Sequence, residues 1–491
     1  MIEAALGAIA TLATPGTLGF VLLGVAVGLM VGILPGLGGT VGMSLALPFI
    51  FGMDPDQAIA LLIGIAAVVH TADTFPSVLL GVPGSSGSQA TIMDGYPLAR
   101  QGQATRALSA AFFASMFGGV VGALCVFAIL PIARPMVLAF GSPELLMLAV
   151  LGLSMVGILS GGQPARGMAM AALGLLLGSV GAAPSTPFYR YTFGSLYLYD
   201  GIPLAVLALG LFALPEILDL LAKGERIATE DTKGGKGGAL QGFKDVLASR
   251  WLVARSAVLG VGVGFIPGLG GSVVDWISYG VAARTSRDGD RFGSGDIRGV
   301  IAPESSNNAK EGGALIPTLL FGIPGSGTTA VLLGGFVVLG LQPGPRMLTD
   351  NLDVTLLIIW TLALANVFGT LACLSVSGVV ARLARVPPAH LAPFLLIIML
   401  AGAYQSTRSW GDLVAFVVIG VCAWFLRRAK FPLPPLLIGF VLSTSVERNL
   451  FLSVERYGWS WLAHPGVLVI TALTVALTWG SMRISERAEA P

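Results

Sequence analysis

One short segment occurs twice in this chain, each time in the middle of an apolar run: Val31-Gly-Ile-Leu-Pro-Gly-Leu-Gly-Gly39 and Val263-Gly-Phe-Ile-Pro-Gly-Leu-Gly-Gly271. Proline and glycine interrupt a helix, and an interruption inside a bilayer frees backbone N–H and C=O groups that lipid cannot satisfy. Such breaks persist where the freed groups face a protein-lined cavity or a bound solute. Two of them, at corresponding places in two halves, point to a transporter whose binding site lies where the halves meet.

Composition places those runs in a membrane. Of 491 residues, 55% are hydrophobic and only 11% charged, against about 25% charged in a soluble chain. The 67 glycines fit close packing of membrane helices. A net charge of +2 with no basic stripe gives no reason to expect nucleic acid. Cys125, Cys373 and Cys422 sit in separate apolar runs and read as core thiols rather than a disulfide or a metal site. The three histidines are scattered, without metal-ligand spacing, and no Ser/His/Asp signature is legible. The chain therefore reads as neither a hydrolase nor a metalloenzyme. The N-terminus lacks a basic region followed by a cleavage pattern, so its first apolar run is expected to stay in the membrane.

The fold class that follows is an all-α polytopic membrane protein with helices broken at Gly and Pro, or paired as helical hairpins. By the 20-residue criterion, about 11 to 14 membrane elements are expected. The one long polar stretch, 223–250, holds Lys233-Gly-Gly-Lys-Gly-Gly238 and reads as a cytoplasmic linker. It divides an N-terminal membrane repeat, 1–222, from a C-terminal repeat with extra helices, 251–491. The segment near Asp54 and Asp56 has acids and no Lys or Arg, whereas its counterpart holds Arg284, Arg287, Arg291 and Arg298. The charge rule puts the two on opposite faces, which predicts an inverted repeat.

Each half carries a second break: Gly81-Val-Pro-Gly-Ser-Ser-Gly-Ser88 and Gly322-Ile-Pro-Gly-Ser-Gly-Thr-Thr329. A helix starting after a break presents unpaired N–H groups and the positive end of its dipole. Serine and threonine hydroxyls add donors and cap such starts. Together they form an uncharged receptacle for a carboxylate. The candidate substrate residues are Gly36, Gly38, Gly39 and Thr40 in the first break and Pro83, Gly84, Ser85 and Ser86 in the second. The third break contributes Gly268, Gly270, Gly271 and Ser272, and the fourth Gly325, Ser326 and Thr328. Asn307, Asn308 and Lys310 precede the fourth break and join the set. Asp73 and Asp275 are candidates for the coupling ion. The plainer alternatives are that Lys310 pairs with Glu311 or Glu304 and that Asp73 pairs with His70. Asp94-Gly-Tyr-Pro97 reads as a turn.

The Pro-Gly-Leu-Gly-Gly segments, Asp94-Gly-Tyr-Pro97, Asn307-Asn308, Gly312-Gly-Ala-Leu-Ile-Pro317, Gly-Ile-Pro-Gly-Ser326 and Pro343-Gly-Pro345 occur in order over nearly the whole chain. Jointly they resemble the large permease subunit of tripartite tricarboxylate transporters, the TctA family. The resemblance implies a multi-pass protein of the bacterial inner membrane with two protein partners: a small four-helix membrane subunit and a periplasmic solute-binding protein. It implies secondary import of a di- or tricarboxylate or an aromatic carboxylate, driven by a Na+ or H+ gradient and without a further cofactor. Against the common family pattern, His70-Thr-Ala-Asp-Thr-Phe-Pro76 and Lys310-Glu311 are departures, and both lie where substrate is expected. The rival readings are a channel or scaffold subunit without a transport site, and a polytopic membrane enzyme.

Overall fold

The computed structural model describes residues 2–159, 164–223, 238–267, 271–286, 291–383 and 392–476. Helices dominate. The first half runs α1 (Ile2–Leu12), α2 (Pro15–Ile33), α3 (Gly39–Ala46), α4 (Pro55–Ala72), α5 (Thr74–Leu80), α6 (Gln89–Leu98) and α7 (Ala104–Leu138). It continues with α8 (Ser142–Leu159), α9 (Pro164–Gly178), α10 (Leu204–Ala208) and α11 (Leu214–Lys223). The second half runs α12 (Gly238–Ala248), α13 (Arg250–Gly264), α14 (Gly271–Thr285), α15 (Arg298–Phe321), α16 (Gly327–Val338) and α17 (Leu352–Leu383), then α18 (Ala392–Thr407), α19 (Trp410–Arg428) and α20 (Pro434–Tyr457). The only sheet among the described residues is a two-stranded antiparallel hairpin, β1 (Gly181–Ala182) with β2 (Tyr189–Arg190).

Local chemistry sets the element ends. Pro15 opens α2, where its missing N–H is harmless, and Pro35-Gly36 lies just beyond the helix end. Asp54 caps α4 by accepting from the amides of Asp56 and Gln57. Gly81 and Gly322 end α5 and α15 in the left-handed region, both at φ +67°. Among the described residues, six helical stretches are long and apolar enough to cross a membrane, and α12 with α13 forms a further pair bent by 74°.

Packing partners follow one order in the two halves. Helix α2 packs on α4 as α13 packs on α15; α17 packs on α4 as α7 packs on α15; α1 packs on α17 as α12 packs on α7. Close backbone approaches also correspond. A Cβ on Gly32 would lie 2.7 Å from the Val69 carbonyl, and one on Gly264 2.3 Å from the Lys310 carbonyl. The flanking helices are exchanged: α8 and α9 pack on α20, while α18 and α19 pack on α11 and the segment before it.

At the centre lies α15, buried along its length from 299 to 320. It carries Glu304, Asn307, Asn308, Lys310 and Glu311, all shielded from lipid by α7, α13, α14, α4 and α6. Tertiary packing lets a helix this polar sit inside a bilayer, since ionisable groups are tolerated there only against protein or water.

Three sequence expectations need correction. The stretch 223–250 is not all linker, because 238–248 is helix α12 docked on α7; Lys233 and its neighbours lie outside the described residues. Asp94-Gly-Tyr-Pro97 is not a turn but the second half of α6. Cys373 is buried as a core thiol, but Cys422 is exposed on the surface of α19.

Candidate functional site

The breaks meet. The Gly36 amide donates to the Gly84 carbonyl at 3.0 Å, which ties the first break to the second. A Cβ on Gly39 would lie 2.9 Å from His70 Nε2 and 3.0 Å from Thr328 Oγ1, and one on Gly327 2.8 Å from Thr40 Oγ1. The first and fourth breaks therefore touch through backbone that only glycine allows so close. Helices α3 and α16, which start at these two breaks, pack on each other.

Around this junction lies a cavity of about 570 Å³. The first break lines it with Gly36, Gly38, Gly39 and Thr40, and the second with Pro83, Ser85 and Ser86. The fourth contributes Gly325, Ser326 and Thr328, and α15 contributes Lys310. Of the third break, Gly268 and Gly270 lie outside the described residues, Gly271 opens α14 and Ser272 follows it. Its near end reaches the same place, since a Cβ on Gly325 would lie 2.9 Å from the Gly264 carbonyl.

The remaining candidates sit one layer behind the wall. Gly84 is buried against Asp73, whose carbonyl would lie 2.2 Å from an added Cβ. Asp73 accepts a hydrogen bond from Ser85 Oγ, so it is tied to the cavity through that hydroxyl. Asn307 packs on Gly87, whose added Cβ would lie 2.4 Å from the Asn307 carbonyl oxygen. Asn308 Nδ2 donates to Thr71 Oγ1 and to Asn366 Oδ1, both at 2.8 Å. Asp275 accepts from the Ala90 amide at 3.0 Å and from the Trp276 amide at 2.8 Å. It thereby caps the start of α6 from the other half by taking the Ala90 amide.

Lys310 pairs with Glu311, as the plainer alternative held, and still lines the cavity. An ammonium has three donors, and one carboxylate contact leaves it capacity for a second. His70 Nε2 lies 3.1 Å from Glu311 Oε1, close but without hydrogen-bond alignment, and His70 Nδ1 lies 3.9 Å from Asp73 Oδ2. Glu304 accepts from Thr91 Oγ1 at 2.7 Å and from Ser115 Oγ at 2.9 Å. Thr329 is spent within its own helix, closing a capping box with Ser326 at the start of α16.

Sequence reasoning missed Glu216 and Arg427 at the cavity rim, where they form an ion pair. The available signal was an acid inside an apolar run, which is costly without a partner. It also misjudged Asp94, which acts outside the cavity. Its carboxylate accepts from Tyr279 Oη and from the amides of Gly293, Gly295 and Asp296 at 2.8–2.9 Å, pinning the loop before α15. In that loop, burial works against the charge of Asp296, and Arg298 more than offsets it, holding the carboxyl below its ordinary value.

The cavity is thus lined by glycine backbone, hydroxyls, an imidazole and an ammonium, together with the carboxylates of Glu216 and Glu311. Residues 18–438 match the family described as tripartite tricarboxylate transporter TctA. The chain is 32% identical over 441 residues to an uncharacterized 52.8 kDa protein in the TAR-I ttuC' 3' region of Agrobacterium vitis, covering 90% of this chain and 87% of that one. It is also 32% identical over 188 residues to an uncharacterized protein in the TAR-II ttuC' 3' region of the same organism, covering 38% of this chain and 78% of that one. No solved structure matches the chain significantly. By its match over most of its length, the chain belongs to the tripartite tricarboxylate transporter TctA family.

Proposed function

We propose that this chain is the translocating subunit of a binding-protein-dependent secondary carrier that imports a di- or tricarboxylate or an aromatic carboxylate. The observation that carries the reading is the cavity itself: three described breaks and Lys310 converge on one space of about 570 Å³. In the first turns of α3 and α16 the Val41 amide closes on the Gly38 carbonyl and the Thr329 amide on Ser326 Oγ, so the amides offered to a carboxylate are those of Gly39, Thr40, Gly327 and Thr328, all at the cavity. Each helix start contributes roughly 0.3–1 kcal/mol, enough in combination for binding that still permits release.

A second cavity, of about 750 Å³, is lined by Leu47 and Pro48 beyond α3 and by Val337 and Val338 at the far end of α16. The packed α3–α16 pair thus stands between two cavities, one at each end. Such an arrangement supports alternating access, with the halves acting as an inverted internal repeat. The cavity at the breaks opens beside Arg427, and the Arg427-Arg428-Lys430 cluster marks that side as cytoplasmic under the charge rule. In this reading the protein sits in the bacterial inner membrane, faces inward, and works with a small four-helix subunit and a periplasmic binding protein. The driving ion is Na+ or H+, with Asp73 as its carboxylate; Asp275 already has both oxygens engaged by backbone amides.

The test is uptake of labelled carboxylates into vesicles holding all three subunits, with Na+ and proton gradients imposed separately. Gradient-dependent accumulation of at least one carboxylate is expected. Correctly assembled vesicles that accumulate none under either gradient refute the carrier reading.

A further inference from the structure

Buried polar atoms almost always find a partner. Among the described residues, twelve buried side-chain nitrogen or oxygen atoms have none in the protein, and seven of these lie on two segments, 70–74 and 307–308. The two segments face each other, since Asn308 Nδ2 donates to Thr71 Oγ1 at 2.8 Å. The other five atoms are scattered over Arg190, Arg255, Trp360, Thr361 and Trp461. This concentration has a chemical character. Asp73 Oδ1 is free while Oδ2 takes the Ser85 hydroxyl. Asn308 uses its amide nitrogen on Thr71 and Asn366, so its free atom is the carbonyl oxygen. Asn307 leaves both side-chain atoms free, so a carbonyl is available whichever way the amide is turned. Thr74 Oγ1 faces Glu304 without closing a hydrogen bond. Asp73, Thr74 and Asn307 are each fully buried, and Asn308 is 2% exposed.

We propose that Asp73 Oδ1 and the side-chain carbonyls of Asn307 and Asn308 form a sodium site behind the cavity wall, coupled to the cavity through Ser85. One carboxylate among neutral oxygens matches a hard monovalent cation in charge and donor type. A transition metal is poorly served, because no three His, Cys, Asp or Glu side chains converge among the described residues. The other ionisable groups around Asp73 are His70 on α4, Glu304, Lys310 and Glu311 on α15, and Cys373 on α17. Lys310 is paired with Glu311 and does not neutralise Asp73 directly. Coupling follows from one hydroxyl. Ser85 Oγ donates to Asp73, accepts the Gly87 amide at 3.1 Å, and lines the cavity. A cation on the far carboxylate oxygen fixes that hydroxyl and with it the second break, so sodium and carboxylate raise each other's affinity.

The site deepens the carrier reading and rests on it for its purpose, but its existence is testable alone. The probe is radioactive sodium bound to the purified, lipid-reconstituted chain without substrate, in choline-balanced buffer. Saturable binding is expected in the wild type, lost in Asp73→Asn and Asn307→Ala, and weakened about tenfold in Ser85→Ala, a residue that only supports a ligand. Absence of saturable binding to the wild type overturns the site without relying on any variant. Full binding in a folded Asp73→Asn, judged by a wild-type elution profile, overturns it as well. Proton-driven uptake with no sodium binding sinks this site and leaves the carrier standing. Sodium binding with no uptake under either gradient does the reverse.

Discussion

The second break of the first half and that of the second half use one backbone device and give it two different chemistries. Both follow a glycine at φ +67°. The next amide closes back on a proline carbonyl in each: Val82 on Pro76 at 3.3 Å, Ile323 on Pro317 at 3.1 Å. Each then sets a glycine against the preceding helix, Gly84 on Asp73 and Gly325 on Ala314. There the likeness ends. Where the first half has a buried acid, the second has alanine. Ser85 spends its hydroxyl on that acid, whereas Ser326 caps its own helix. Both α6 and α16 begin at the cavity, but Asp275 from the other half takes the Ala90 amide of α6, whereas α16 is capped by its own Ser326. Under the two proposals above, a matched pair of breaks serves opposite charges: one a cation behind the wall, one an anion in front of it.

The largest effect should come from filling the shared device. Gly84→Val puts its Cβ 2.2 Å from the Asp73 carbonyl oxygen, and Gly325→Val meets Ala314 Cα at 2.8 Å. Overpacking of this kind costs about 1–3 kcal/mol or more. Uptake should be lost in both, and full uptake in either variant would break the equivalence of the two glycines. Next is Lys310→Met. It leaves Glu311 buried without its cation, a loss of about 3–5 kcal/mol in stability. Adding Glu311→Gln should restore thermal stability in detergent but not uptake; recovery of both makes the pair purely structural.

Smaller effects separate the serines. Ser326→Ala removes a helix cap and should lower stability by about 1 kcal/mol, read as a shift in unfolding midpoint. Ser85→Ala strips Asp73 and the Gly87 amide of their partner and should cost about 1–3 kcal/mol as well, but it alone should alter the cation dependence of uptake. An unchanged cation dependence in Ser85→Ala, or a changed one in Ser326→Ala, would erase the distinction. The smallest effect concerns the loops that enter α4 and α15. Asp54 caps α4 locally, whereas the loop before α15 is held by Asp94 and by Asp296 with Arg298. The Asp296 carboxyl is lowered in the folded state, so its contribution is present above the ordinary aspartate value and lost as pH falls below it. Hydrogen-exchange protection of the 293–296 amides should fall below about pH 4, where an unperturbed aspartate takes up its proton. Protection that stays flat there would remove Asp296 and Arg298 from the anchor.

Much of the site was legible because it is written in Gly and Pro. Eleven of the candidate residues line the cavity, and all but Lys310 of these belong to a break. What was not legible came from side chains whose partners are far apart in sequence. Asp275 caps a helix 185 positions away, and Glu216 meets Arg427 over 211. Nothing within a short window distinguishes Asp94, an anchor for a distant loop, from Asp73, a buried acid with a free oxygen. The Asp94 segment also misled locally, because Gly95 and Pro97 look like turn residues and lie in a helix held by its neighbours.

Apolar content, with prolines and glycines inserted into it, determined that this chain enters a membrane and that its helices are interrupted at four places. Hydrophobicity and backbone freedom are properties each residue carries with it, so they survive being read one segment at a time. Tertiary structure decided which interruptions converge, which of the buried charges are paired, and which acid keeps an oxygen free. Those outcomes depend on the Coulomb and hydrogen-bonding partners that packing brings within a few ångströms, and sequence distance says nothing about them.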